Sequence, residues 1–289
     1  MSEKLFLNGL IDTHVHSMCS DGTEAPAEVM RQASMAGLAA IALTDHDTTV
    51  GWEEAASRVN AENVALIRGM EVTTRYEGKS VHMLAYLFDP DHEAVHAHSQ
   101  RLHASRRERI EEMVDNISRD YPITLDDVLE VAGGQILGRP HIADALIAKG
   151  IVEKREDAFK TIISSRGKYY VPNKAPNSCE VIEWVTKAGG KAVFAHPYLA
   201  TRNMEMLPKF FHDFAEAGLF GVEVNHRDNP EDVRPALREM AQNVGVEVFG
   251  SSDYHGAGKP NRLGENVTSP EVVARLEDGA ALPILRPSA

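Results

Sequence analysis

The chain has 289 residues, 43% hydrophobic and 25% charged, with 21 Gly, 14 Pro and only 2 Cys. That usage excludes a collagenous, disordered or disulfide-stapled chain, and the length allows one large α/β unit or two domains. A formal net charge of −13 excludes a protein that coats duplex DNA by bulk charge, although a local cationic site can still take a small anion.

Leu5–Val15 is apolar and ends in Asp12-Thr13-His14-Val15-His16. Ala25–Met35 follows with helical spacing, and Ala39–Leu43 is a short buried strand ending in Thr44-Asp45-His46-Asp47. Thr49–Asn60 reads as a helix, Val64–Thr73 as a strand carrying Glu71, and Ser80–Leu87 as a strand carrying His82. Strand–helix alternation of this kind predicts parallel βα units. From Ser99 the pattern is helical. Ser99–Asp120 has Leu102, Ile110, Met113 and Ile117 on one side, and Thr124-Leu125-Asp126-Asp127 has the form of a capping start for a helix to Val131. Arg139–Lys149 ends at Gly150, a good C-terminal cap, and Glu156–Ser164 is helical. No convincing strand appears before Tyr169-Tyr170-Val171.

Alternation then resumes. Helices are predicted over Ser178–Ala188, Leu207–Ala217, Pro230–Val244 and Pro270–Leu276. Strands are predicted over Lys191–Ala195, leading to His196-Pro197, over Gly221–Val224, leading to Asn225-His226, and over Val246–Gly250, leading to Ser251-Ser252-Asp253-Tyr254-His255. Seven strands result, one short of an eight-unit barrel. The organisation is therefore an α/β body over 1–98 and 177–289 with a helical insertion over 99–176. The insertion holds 13 basic and 12 acidic residues, the remainder 17 basic and 31 acidic. Arg139, Arg166, Lys168 and Lys174 of the insertion are candidate anion contacts, though Lys and Arg are mostly plain solvated charges.

Cys19 and Cys179 read as reduced thiols. Met1–Leu10 lacks the apolar core of a signal peptide. The longest clean apolar run, Leu38–Leu43, is far below the roughly 18 residues of a membrane span. The expected setting is cytoplasmic, with no membrane partner.

Histidine carries the chemical signal. His14 and His16 are two apart in a strand, so both imidazoles point one way and can reach one ion. Asp21 follows in a turn, where Asp is common for turn geometry alone. Asp45, His46 and Asp47 at a buried strand end are costly unless bonded or metal-bound, and helix N-capping is the simplest role for Asp47. Glu71 is a carboxylate inside a strand pattern and can bridge two cations. His82, between Val81 and Met83, is structural if taken alone. His196 closes an apolar run, and Asp253 with His255 repeats the i, i+2 spacing. Nine ligand-type residues, most at strand C-terminal ends, exceed what one ion needs, and their imidazole–carboxylate mixture suits Mn, Fe or Zn rather than a thiolate site.

This ordered set, His14-Val15-His16, Asp21-Gly22, Thr44-Asp45-His46-Asp47, Glu71, His82, His196-Pro197 and Asp253-Tyr254-His255, resembles the PHP family (polymerase and histidinol phosphatase) over nearly the whole chain. The resemblance implies an α/β fold, a distorted (β/α)7 barrel with a helical lid insertion, and a trinuclear metal site that hydrolyses phosphoesters. By position it implies His14, His16, Glu71 and Asp253 on a first ion, Glu71, His82 and His196 on a second, and Asp21, His46 and His255 on a third. It also implies two or three divalent ions per chain, manganese first and zinc or iron next. The catalytic set is then His14, His16, Glu71, Asp253 and His255.

The insertion and its Gly138-Arg139-Pro140-His141-Ile142-Ala143 segment resemble the bacterial 3′,5′-nucleoside bisphosphate phosphatases within that family. The resemblance implies removal of the 3′-phosphate to leave a 5′-monophosphate, with Arg139, His141 and Lys174 on the second phosphate or sugar. Related members act as 5′-to-3′ exoribonucleases on short RNA, and Tyr169-Tyr170 could stack a base. A histidinol-phosphate phosphatase would share every metal ligand, but the helical insertion counts against it. A non-catalytic metal-binding interaction module is the reading outside enzymes. A related superfamily, the amidohydrolases, shares the opening H-x-H but favours a carboxylated Lys where this chain has Glu71. The expected partner is a small nucleotide, with short RNA second and no duplex DNA; oligomeric state stays open, a monomer being plausible.

Overall fold

The computed structural model describes residues 7–133, 137–172 and 174–288, without the side chains of Ser99, Leu102 and His103. Leu5 and Phe6 of the first expected strand, and the side chain of Leu102 in the helical stripe, lie outside the described residues. The described chain forms two compact units, one running to His96 and resuming at Pro176, the other Ala97–Ala175.

The first unit is a mixed α/β fold on one seven-stranded sheet: β1 (Leu10–Val15), β2 (Leu38–Leu43), β3 (Ala65–Tyr76), β4 (Lys79–Tyr86), β5 (Lys191–Phe194), β6 (Gly221–Asn225) and β7 (Glu247–Gly250), in sequence order. β1, β2 and β3 pair in parallel, as do β5, β6 and β7. The all-parallel expectation fails at β4, which is antiparallel to both β3 and β5. The cause is local. Tyr76 pairs with Lys79, leaving Glu77-Gly78 as a two-residue turn with φ of 46° and 75°. Two successive positive φ angles reverse a twisted strand into a hairpin, and glycine takes the second at no steric cost.

The sheet is buried on both faces. One face packs Phe194, Phe210, Phe211 and Phe214 with Leu43, Leu66 and Val222. The other packs Ile11, Ala40, Ile67, Tyr86 and Phe249. Strands buried on both sides read as near-continuous apolar runs, as in Leu38–Leu43. The sheet is strongly curved: the Tyr86 hydroxyl on β4 donates to the Thr13 carbonyl on β1 at 2.6 Å. β1 and β7 share no ladder. The stretch after β7 returns to β1 instead, through a Val15–Tyr254 bridge and the bonds from Asp253 N–H to His14 C=O (2.9 Å) and His16 N–H to Tyr254 C=O (2.8 Å).

Other departures have equally local causes. The helix expected over Thr49–Asn60 is two short ones, Trp52–Ala56 and Val59–Glu62, the second stopped by Asn63 at φ 55°. Asp47 does not cap it: Asp47 accepts from the N–H and hydroxyl of Thr73 on β3, both at 2.8 Å. The charged helix begins early, at Glu93, and runs to Ser118. A helix at Pro197–Thr201, unanticipated, starts on Pro197, whose fixed φ suits a first turn. In the second unit, helices Leu125–Ala132, Arg139–Ala148 and Arg155–Lys160 bury Ile110, Met113, Ile117, Val128, Ile142 and Leu146. The Thr124–Asp127 capping box forms. Tyr169-Tyr170-Val171 is not a strand; Tyr170 N–H closes a turn onto Gly167 C=O.

Gly250 ends β7 where a Cβ would lie 2.4 Å from the Val267 carbonyl oxygen. Backbone cannot yield as a side chain can. Gly250→Ala should therefore lower stability by about 1–3 kcal/mol or more, read as a shifted denaturant midpoint with unchanged m.

Candidate metal centre

Strand ends and two mid-strand positions deliver the candidate residues to one place. His14 and His16 leave the end of β1, His46 follows β2, Glu71 and His82 lie on β3 and β4, His196 follows β5, and Asp253 and His255 follow β7. Glu71 is the hub, at 1% exposure. Its Oε2 lies 3.0 Å from both His14 Nε2 and His16 Nε2 and 3.3 Å from His46 Nδ1. Its Oε1 lies 2.7 Å from His82 Nδ1 and 3.1 Å from His196 Nε2. One carboxylate thus faces five imidazoles, its two oxygens turned to different sets.

Asp253 Oδ1 completes the first set, 3.5 Å from His14 Nε2 and 3.3 Å from His16 Nε2. Asp21 gathers another, with Oδ1 3.1 Å from His255 Nε2 and 3.8 Å from His16 Nδ1, and Oδ2 3.8 Å from His46 Nε2. His46 therefore faces Glu71 with one ring nitrogen and Asp21 with the other. The sequence-predicted residues form three groups of ligand atoms, His14, His16, Glu71 and Asp253; His46, Glu71 and His82; and His16, Asp21, His46 and His255, and His14 also groups with Glu223 and His226. His196 joins at Glu71 Oε1.

Whether these atoms fit cations is decided by their protons. His14 Nε2 and His16 Nε2 are 2.9 Å apart and converge on the same carboxylate oxygen. His46 Nδ1 and His255 Nε2, though near carboxylate oxygens, and His196 Nδ1 are buried and make no aligned hydrogen bond among the described residues. So many convergent lone pairs and so few protons suit divalent ions held by nitrogen and oxygen. Without ions, protons stand in. Burial opposes charge on His16, but bonds to Asp253 and Glu71 outweigh it and raise its pKa to about 9. Burial would likewise raise the Glu71 and Asp253 carboxyls. His46, His14 and His82 hold Glu71 well below the usual range, and Lys259 and His255 do the same for Asp253. The Lys259 ammonium is 2.8 Å from Asp253 Oδ2. His46 goes the other way: burial pushes it down to about 3.

A second ring of residues fixes the first. Glu223, fully buried on β6, receives His14 Nδ1 at 3.0 Å, the His196 N–H at 2.9 Å and the Ser251 hydroxyl. It thereby turns His14 Nε2 toward Glu71. Burial would raise its carboxyl, but His14 outweighs this and holds it at about 2. Sequence reasoning misses Glu223, although a carboxylate between Val222 and Val224 carries the same signal as Glu71. Asp12 accepts from Ser252 N–H (3.0 Å) and Gly264 N–H (2.8 Å), and burial lifts its pKa to about 6. Asp45 accepts from Ser17 N–H, Ser17 Oγ and Ser20 Oγ, each at 2.7 Å. His196 and Asp253 sit at φ of 27° and 56°, uncommon for side-chain-bearing residues and held here by those bonds.

The candidate substrate contacts lie in the helical unit and are not gathered as a set. Arg139 is half-buried; its Nη1 donates to Ile163 C=O at 3.2 Å, and its guanidinium lies 5.6 Å from the Tyr170 ring and 5.1 Å from Phe159. Arg109 takes the Tyr170 ring at 5.4 Å and Val171 C=O at 2.7 Å. Among the described residues neither has a carboxylate at ion-pair distance. Burial lowers both pKa values, Arg109 to about 10. His141 is buried and accepts the Gly138 N–H at 3.1 Å, a helix-start bond. Lys174 is 81% exposed and faces Glu108 at 3.6 Å.

Two outcomes follow from this geometry. A carboxamide at 223 has one acceptor oxygen for donors that occupy both carboxylate oxygens, so Glu223→Gln should weaken divalent-ion affinity about 10–100-fold, measured by chelator competition. A proton must leave His16 when an ion binds, so affinity should rise with pH toward about 9.

Comparison with known proteins finds relatives over most of the chain. The PHP domain family profile matches residues 12–171. A 5′-3′ exoribonuclease of Haemophilus influenzae is 30% identical over 257 residues, 89% of this chain and 93% of that one. A 3′,5′-nucleoside bisphosphate phosphatase of Chromobacterium violaceum is 27% identical over 96% of this chain and 99% of its own. A solved structure of a candidate metal-dependent phosphoesterase from Bifidobacterium adolescentis superposes with a TM-score of 0.87 at 41% identity, covering 93% of this chain and 96% of that one. With the ligand groups on the strands and this match over most of its length, the chain belongs to the PHP family of phosphoesterases.

Proposed function

We propose that the protein is a metal-dependent phosphomonoesterase that removes the 3′-phosphate of nucleoside 3′,5′-bisphosphates and leaves the 5′-monophosphate. The observation that carries the reading is Glu71, whose two oxygens face separate imidazole sets. In this reading His14, His16, Glu71 and Asp253 would hold a first ion, Glu71, His82 and His196 a second, and Asp21, His46 and His255 a third, with manganese the first choice. Bound divalent ions supply a water-derived nucleophile near neutral pH and offset the charge of the phosphoryl group. The residues of this chain hold donor atoms in fixed positions: Glu223 orients His14, and the apolar strands beneath exclude water, which strengthens every charge interaction in the site.

The second phosphate calls for a cation outside the metal ligands. Arg139 fits that chemistry, since its planar fork pairs two oxygens and, among the described residues, its charge has no carboxylate partner. His141 and Lys174 belong to the same proposal, His141 as the residue that fixes the helix start bearing Arg139 and Lys174 as an exposed cation.

The relative from Haemophilus influenzae favours a second reading, 5′-3′ exoribonuclease on short RNA. Both activities break a phosphoester, and the Tyr170 ring, with the Arg109 and Arg139 guanidiniums near it, is a surface of the kind that accepts bases. Parallel assays decide. Manganese-loaded protein is given adenosine 3′,5′-bisphosphate, histidinol phosphate and a 5′-phosphorylated RNA oligomer. Fast phosphate release with 5′-AMP as product supports the bisphosphatase; preference for the oligomer supports the nuclease. Arg139→Ala should lower kcat/KM for the bisphosphate about 10–100-fold, as expected for a lost charge-assisted bond, with little change on a small aryl phosphate. Equal losses on both would remove Arg139 from this role.

A further inference from the structure

His226 borders the metal centre without belonging to any of its three ligand groups. It follows β6, is fully buried, and its ring centroid lies 5.1 Å from that of His196 and 6.1 Å from that of His14. Its two ring nitrogens have different surroundings. Nδ1 accepts the backbone N–H of Asp228 at 3.0 Å, so that nitrogen carries a lone pair and the ring proton sits on Nε2. Among the described residues Nε2 is buried and has no hydrogen-bond partner; its nearest carboxylate oxygen, Asp253 Oδ2, is 3.9 Å away, beyond hydrogen-bond length. That oxygen already accepts from Lys259 at 2.8 Å.

The Asp228 bond orients the ring, and the backbone that carries it is held as well. The His226 carbonyl accepts from Asn229 N–H at 3.1 Å and Arg234 Nη2 at 2.9 Å. Asn229, also buried, donates from Nδ2 to the Glu223 and Val224 carbonyls. The chain therefore maintains a buried N–H in fixed orientation with nothing among the described residues to receive it, although an unmade buried hydrogen bond is destabilising.

The tautomer excludes two roles. An Nε2 that carries a proton has no lone pair for a cation, which removes His226 from the ligand-type grouping it makes with His14 and Glu223; His14 Nδ1 in that grouping is engaged by Glu223. A second ring proton has no room at Nδ1, where the Asp228 N–H already points, so His226 is not the imidazolium that would protonate a leaving group. What remains is a fixed, neutral donor. We propose that His226 Nε2–H donates a hydrogen bond to a non-bridging phosphoryl oxygen of the bound phosphoester. The donor stays on nitrogen throughout and no proton is transferred. This rests on the phosphoesterase reading of the centre, and it makes His226 a catalytic residue in the sense of a pre-oriented dipole for charge on the phosphoryl group.

The test combines three readouts on the full chain. Nitrogen-15 NMR of the metal-free protein should show His226 as the Nε2–H tautomer; an Nδ1–H or doubly protonated ring overturns the proposal. Calorimetry with inorganic phosphate on the manganese-loaded protein should show about tenfold or more weaker binding in His226→Phe, with the ion content per chain unchanged. Equal phosphate affinity, or loss of an ion, overturns it. This arm needs no turnover, so a wild type inactive on every phosphomonoester would sink the function reading while still deciding the donor. Where turnover is seen, His226→Phe should lower kcat about 10²–10³-fold, evenly across aryl phosphates of differing leaving-group acidity. A loss that grows for poorer leaving groups would instead mark a proton donor. His226→Gln, which keeps an N–H near the Nε2 position, should recover at least tenfold; it also serves if the Phe variant fails to fold.

Discussion

A carboxylate taken fully out of water costs several kcal/mol unless charges or hydrogen bonds around it replace the solvent. Glu71 is such a group, and among the described residues no Lys or Arg lies at ion-pair distance from it. Its surroundings are imidazole nitrogens from five histidines on different strands and loops. Without ions, protons on His14 and His16 stand in for them, and ring nitrogens of His46, His196 and His255 make no aligned hydrogen bond among the described residues. Divalent cations resolve both deficits at once. They also explain how a chain with a formal charge of −13 can receive an anionic phosphoester, since bound ions are the largest local charges in such a site.

Holding that arrangement falls to residues that face away from the ligand cluster. Asp12, Asp45, Asp47 and Glu223 each commit their oxygens to backbone N–H groups, hydroxyls or a ligand histidine. Asp12 joins the first strand to the segments after the last, Asp45 clamps the loop that carries Asp21, Asp47 ties the end of the second strand to the third, and Glu223 sets both His14 and the His196 backbone. The short returns between the residues after β7 and the end of β1 then fix Asp253 beside His14 and His16. Curvature of the sheet does the rest: side chains on strands that are not neighbours meet over one face.

Much of this is legible in the sequence because strands have a strict period of two. His14 and His16 point together at the end of β1 for that reason, whereas Asp253 and His255 lie beyond β7, where the loop and the φ of 56° at Asp253 set their directions; apolar runs locate the strand ends. The same rule does not separate ligands from supports. Asp45, His46 and Asp47 look equivalent at the end of β2, yet only His46 faces Glu71 and Asp21, and the helix-cap role expected of Asp47 gives way to Thr73. Nor does alternation tell parallel from antiparallel, so the direction of β4 shows only in its Glu77-Gly78 turn. Glu223 escapes because a single acid between valines carries little weight alone, whereas Glu71 gains it from a family pattern. Lys174 qualifies by its charge alone, and the structure gives it an exposed ion pair with Glu108.

The most direct measurement is the number of divalent ions retained per chain after manganese loading and removal of free metal, for the wild type and for Glu71→Gln. The account predicts two or three ions in the wild type and at most one in the variant, because one carboxylate supports more than one set of donors. Fewer than two ions in the wild type, or a variant with undiminished content, would contradict it.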